Sequence, residues 1–141
     1  MSAEDDVRVA SAGFYAALNR MVDGDVAALS EIWSHSERVT TMHPLGGQQI
    51  GWAAVRESFE QIAKLAPGGH VRLDDQIIEV GGELAYELGI ERGETTLAEE
   101  LITLEQRVTN IYRREAGEWK MVHHHTDVSL AMVGIEWPVT G

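Results

Sequence analysis

The sequence predicts an α+β fold: three N-terminal helices packed on a curved, mostly antiparallel sheet, with a cone-shaped hollow between the two layers. Three observations lead there. Apolar residues recur at helical spacing through the first 66 residues. Residues 71–127 are instead rich in β-branched and aromatic side chains, broken by turn-forming pairs. The length of 141 residues suits one domain spanning 1–141, able to bury roughly two thirds of its unfolded surface without staples.

Val7, Ala10, Phe14, Leu18 and Met21 form the stripe of an amphipathic helix over residues 5–23. Gly24 breaks it, and Asp25 caps a shorter helix that runs to Ile32. RVTTMH at 38–43 reads as a strand ended by Pro44, and LGGQQIG as a Gly-rich turn with a short return strand. A third helix begins near Gly51, buries Trp52, Val55, Phe59, Ile62 and Ala66, and stops at the PGG of 67–69. Strands are expected at 71–80, at 83–92, in a stretch ending at 106–114 and at 118–127, with turns at 81–82 and 115–117. The segment 93–104 is read as a loop leading into a long strand. The tail from Ser129 to Gly141 holds Leu130, Met132, Val133 and Trp137 and is expected to pack on a surface.

Composition narrows the function classes. Eleven Lys and Arg against 23 Asp and Glu give a net charge of -12, a field that repels nucleic-acid phosphates and anionic membrane surfaces. No apolar run approaches the ~18–20 residues a bilayer requires. The start MSAEDDVRVA is acidic, unlike a targeting peptide. Without cysteine there is no disulfide and no thiolate nucleophile or ligand. These features predict a cytoplasmic protein with neither a nucleic-acid nor a membrane partner.

Three stretches carry a resemblance: FYAALNRMVDGD, MHPLGGQQIGWAAVRESF and TNIYRREAGEWKMVHHHTD. Their order resembles the nuclear transport factor 2-like superfamily, which includes ketosteroid isomerase, SnoaL-like polyketide cyclases and the association domain of calcium/calmodulin-dependent kinase II. The match covers about residues 5–128, and the last stretch is similar to the final hairpin of the kinase association domain. Such a fold hosts many functions, so chemistry has to be argued from its site. The comparison with ketosteroid isomerase puts Phe14 where that enzyme has an oxyanion-hole tyrosine and Phe59 at its supporting tyrosine. His43, before Pro44, falls at the general-base aspartate, and Thr109 at the protonated aspartic acid. The chain is therefore not expected to be a ketosteroid isomerase.

His43 is the one replacement able to act as a base, since imidazole titrates near neutrality. Its structural alternative is to satisfy the turn before Pro44. The resemblance turns Val122, His124 and Thr126 toward the cavity, with His123 and His125 on the outer sheet face. His123, His125 and Asp127 share a strand face with the spacing of a metal site, but that outward placement argues against one. Trp33 and Trp52 read either as core or as an aromatic wall of the hollow. Arg107 shares a strand face with Thr109 and either meets a substrate carboxylate or enolate or pairs with a neighbouring acid.

These readings predict a SnoaL-like cavity protein that acts on or binds a small, largely apolar molecule, with proton-transfer or cyclisation chemistry and His43 as acid/base. The substrate-binding set is Phe14, Trp33, Trp52, Phe59, Arg107, Thr109 and His124; no metal or other cofactor is implied. The alternative is a ligand-binding or oligomerisation module without turnover. A homodimer is expected through the outer sheet face carrying Tyr112, His123 and His125, together with the tail around Trp137.

Overall fold

The computed structural model describes residues 2–129 and 134. Helix α1 (Ala3–Met21) opens on a capping box: the Asp5 amide donates to Ser2 Oγ at 3.1 Å, and the Ser2 amide donates back to Asp5 Oδ2 at 3.2 Å. Glu4, Asp5 and Asp6 in its first turn and Arg20 in its last oppose the helix dipole. It buries Val7, Phe14, Leu18 and Met21, as the stripe predicts, and also Ser11 and Tyr15. The second helix, α2 (Leu29–Ile32), is a single turn, and α3 (Trp52–Leu65) starts where Gly51 takes φ 90°.

The strands are β1 (Thr40–Met42), β2 (Gln49–Ile50), β3 (His70–Gly81), β4 (Leu84–Leu97), β5 (Glu100–Glu115) and β6 (Glu118–Val128). They form one sheet in the order β2-β1-β6-β5-β4-β3, antiparallel except where β1 runs parallel to β6. α1 packs across β3 and β6, and α3 closes the same face. Two devices bend the sheet around them. A bulge interrupts β3 between Asp74 and Ile77. Gly89 on β4 is also approached so closely that a Cβ there would lie 2.5 Å from Leu73 Cδ1 and 2.8 Å from the Asp74 carbonyl oxygen. The result is the expected curved α+β architecture.

Two expectations are corrected. Residues 93–104 are not a loop: β4 runs to Leu97 and turns at once through Ala98 and Glu99 into β5. Both turn residues have positive φ, 51° and 67°. This is the two-residue geometry that suits twisted antiparallel strands, made here without the usual Asn or Gly.

The second correction concerns the last hairpin. Regular pairing from Glu115↔Glu118 would set Thr109 opposite His124. Instead Tyr112 pairs with Met121 and Ile111 with His123, so Val122 is an extra residue and Asn110 stands opposite His124. The bulge moves β5 by one residue relative to β6, and a one-residue slip exchanges the faces. Thr109 and Arg107 therefore lie on the outer face, while Asn110 is fully buried inside and so is Tyr112, which was expected on the outer, dimer-forming face. The tail around Trp137 lies outside the described residues.

Strand β4 is inverted relative to an ordinary amphipathic strand. Leu84, Tyr86 and Leu88 point outward at 49%, 45% and 36% exposure, and Glu87 and Glu91 point inward at 0% and 2%.

Candidate functional site: an apolar cavity with histidines and a buried glutamate

A cavity of about 330 Å³ lies between α1, α3 and the inner face of the sheet. Leu18, Met21, Phe59, Ile62 and Leu104 give it apolar walls, and the exposed Leu45, Leu65, Leu97 and Val128 ring its mouth. Its polar side chains are His43, Glu91, Gln106, His124 and Thr126, joined by His70, Glu94 and Thr95. An apolar pocket with a few convergent polar groups is the usual form of a small-molecule site.

Glu91 reaches the cavity from β4. Tyr15 Oη donates to its Oε2 at 2.9 Å, and Gln106 Nε2 donates to its Oε1 at 2.9 Å. Burial pushes its carboxyl up to about 7 and the neighbouring Glu87 adds to the rise, while the two hydrogen bonds pull the other way. The carboxyl therefore exchanges its proton near neutral pH.

His43, between β1 and Pro44, is held by Ser58 on α3. The Ser58 hydroxyl donates to the Val55 carbonyl at 2.6 Å, so its oxygen accepts from His43 Nε2 at 2.9 Å. Burial lowers His43 to about 4, which keeps the ring neutral at pH 7. The Phe59 ring meets it edge-on, with centroids 4.9 Å apart.

His124 lies 6.1 Å from His43, centroid to centroid. Asn110 Nδ2 donates to Glu87 Oε1 at 3.0 Å and to Tyr15 Oη at 3.2 Å. Its Oδ1 thus accepts from His124 Nδ1 at 2.6 Å. Glu87 also accepts from Tyr112 Oη at 2.8 Å and from Gln76 Nε2 at 2.7 Å. Burial holds His124 well below its ordinary value, and the neighbouring histidines push in the same direction.

Of the residues singled out in the sequence, His43, Phe59 and His124 meet at this cavity. Phe14 stands behind His124, with centroids 5.1 Å apart. Trp33, 1% exposed, packs at a tilt against Phe59 and against the partly buried Trp52, and neither tryptophan lines the cavity. Thr109 is on the outer face, and so is Arg107, whose guanidinium donates to both oxygens of Asp127 at 3.0 and 2.6 Å. His123 accompanies them there, held to Thr40 Oγ1 at 2.7 Å.

Tyr15, Glu87, Glu91, Gln106 and Asn110 are interior polar groups that sequence reasoning missed. The alternation LAYELGIE does carry a signal, since it sets Ala85, Glu87, Gly89 and Glu91 on one strand face. Hydrophobicity alone would turn that face outward. Tyr15 and Asn110 also supply hydroxyl and amide groups one residue from Phe14 and Thr109. Those groups point at Glu91, Glu87 and His124, and neither residue lines the cavity.

The profile of the SnoaL-like domain matches residues 7–131, and the chain belongs to that family. Among solved structures it is similar to a nuclear transport factor 2-like superfamily protein from Salmonella enterica serovar Typhimurium. That pair has a TM-score of 0.80 at 16% identity, covering 95% of this chain and 96% of the other. A candidate dehydratase of the same fold family from Streptomyces avermitilis gives a TM-score of 0.77 at 23% identity, over 89% and 95% of the chains. A candidate calcium/calmodulin-dependent protein kinase type II association domain from Thiobacillus denitrificans gives 0.68 at 26% identity, over 86% and 94%. No curated protein matches the sequence. Among the described residues, no helix is long and apolar enough to cross a membrane.

Glu91 and His43 load the pH dependence of stability with opposite signs. Glu91 titrates higher folded than unfolded, so its contribution is full below 4.5 and is lost as pH rises toward about 7. His43 titrates lower folded than unfolded, so its contribution is full above 6.5 and is lost as pH falls toward about 4. Glu91→Gln removes only the first. The wild-type stability minus that of Glu91→Gln, from urea denaturation, should fall by up to about 3 kcal/mol between about pH 5 and pH 8. A difference that is flat or rising contradicts the assignment.

Proposed function

We propose that the protein catalyses proton transfer on a small, largely apolar molecule held in this cavity. Glu91 serves as the proton donor and acceptor, and His43 as a second base. The observation that carries this reading is Glu91 itself: a buried carboxyl on the cavity wall that titrates at about 7. General acid–base catalysis works best with a group poised near the operating pH. His43 at about 4 is the weaker base, yet it is wholly in its basic form at neutral pH. An elimination of water uses such a pair directly: one group takes a proton from carbon while the other delivers one to the departing hydroxyl. The fold neighbour described as a candidate dehydratase is consistent with that class.

The test is deuterium incorporation. Small enolisable ketones incubated with the protein in D2O should gain deuterium at carbon in a protein-dependent way. Glu91→Gln should slow this by roughly 10²–10⁴. A ligand-binding protein without turnover would give no incorporation above buffer, and a Glu91→Gln rate equal to wild type would remove Glu91 from the chemistry.

The same reading includes a homodimer. The outward Ile77, Leu84, Tyr86 and Leu88 form an apolar surface on the outer sheet face, with Ile77 54% exposed. Covering it in a second copy would bury on the order of 1,200–2,000 Å² in total. Light scattering at micromolar concentration should give twice the chain mass; a mass of one chain contradicts the dimer.

A further inference from the structure

Two of the three histidines on the cavity wall, His43 and His124, are each locked in a single tautomer, and the two locks have opposite sense. Ser58 has one hydroxyl proton, committed to the Val55 carbonyl, so it can only accept from His43 Nε2. Asn110 commits its amide protons to Glu87 and Tyr15, so its oxygen accepts from His124 Nδ1. The nitrogens left bare are His43 Nδ1 and His124 Nε2. Neither has a hydrogen-bond partner among the described residues, and both belong to rings that line the cavity. The other ionisable groups on the wall are the carboxyls of Glu91 and Glu94 and the imidazole of His70, and no Lys or Arg lines the cavity.

We propose that the cavity takes an uncharged, largely apolar molecule carrying a hydroxyl or similar X–H donor, which the bare nitrogen of His43 or of His124 accepts, and that it rejects carboxylates. The proposal rests on reading this cavity as the ligand site and specifies what enters it. A ligand that fills the space beside these nitrogens leaves a buried acceptor unpaired wherever it offers no donor. Sites built to hydrogen-bond a substrate hydroxyl discriminate strongly against analogues that lack it. A carboxylate meets two lone pairs and two acidic side chains with no Lys or Arg to offset its desolvation. Ser58 and Asn110 are then positioning residues: they touch no ligand and decide which histidine nitrogens face it.

The experiment uses 2-naphthol, 2-methoxynaphthalene and 2-naphthoate as a matched donor, ether and anion. Long-range 15N correlation spectra of the free protein at pH 7 should show His43 protonated at Nε2 and His124 at Nδ1. Calorimetric titration should show 2-naphthol binding roughly tenfold or more tightly than its methyl ether, with 2-naphthoate weakest. Adding 2-naphthol should shift the resonance of the bare nitrogen that accepts its hydroxyl, His43 Nδ1 or His124 Nε2. Ser58→Ala, which frees the His43 proton to move, should shrink the naphthol-over-ether preference.

The opposite tautomer at either ring, equal binding of the ether, preferred binding of the naphthoate, or no binding of any probe overturns the proposal. Loss of the donor preference while Glu91 still titrates near 7 sinks the clamp and leaves the proton-transfer reading standing. A sound preference with Glu91 titrating as an ordinary carboxyl has the reverse meaning.

Discussion

Two carboxyl groups sit inside a small core, and every oxygen they bury has to be hydrogen-bonded. Asn110 is the node that makes this possible. Its amide donates to Glu87 and Tyr15, its oxygen accepts from His124, and Tyr15 continues the chain to Glu91. A half-satisfied network would be worse than an apolar core, which is why helix α1, three strands and one cavity wall are tied to this single side chain. The inversion of β4 follows from it. With Glu87 and Glu91 required inside, the leucines and tyrosine of the same strand are forced out.

The same constraint explains the last hairpin. Only the extra residue at Val122 brings Asn110 opposite His124, and without it a threonine would face the histidine. A bulge that re-aims side chains beside a polar site is a recurrent use of that device. Here it gives His124 a fixed proton and leaves its other nitrogen to the cavity. On the far wall, one turn of α3 does the same for His43 through Ser58 and Val55. The neutral histidines and the readily titrating Glu91 are products of one burial, which penalises the charged form of each.

Element order, the helix stripes and the places of all six strands were legible in the sequence, because periods of 3.6 and 2 report which side chains share a face. The β4–β5 turn was not, since Ala98 and Glu99 adopt positive φ without the residues that normally advertise it. In the site, His43, Phe59 and His124 were found by their place in the resemblance. Thr109 and Arg107 were misplaced because a bulge leaves no mark in the composition of a strand. Trp33 and Trp52 took the core role that large aromatic residues usually take. Glu91 escaped because a glutamate on an alternating strand reads as solvent-facing, and only its partners Tyr15 and Gln106, 76 and 15 residues away, bring it inside.

The most direct test of this account compares two neighbouring substitutions, Asn110→Leu and Thr109→Leu, by urea denaturation. Both put a leucine on the same strand. The account predicts that Asn110→Leu loses at least about 3 kcal/mol, because three buried polar groups each lose a hydrogen bond at once and His124 Nδ1 is left without a partner. Thr109→Leu, on the outer face, should change stability by less than about 1 kcal/mol. The reverse order, with Thr109→Leu the more damaging, would mean that the hairpin pairs without its bulge and that Asn110 does not organise the interior.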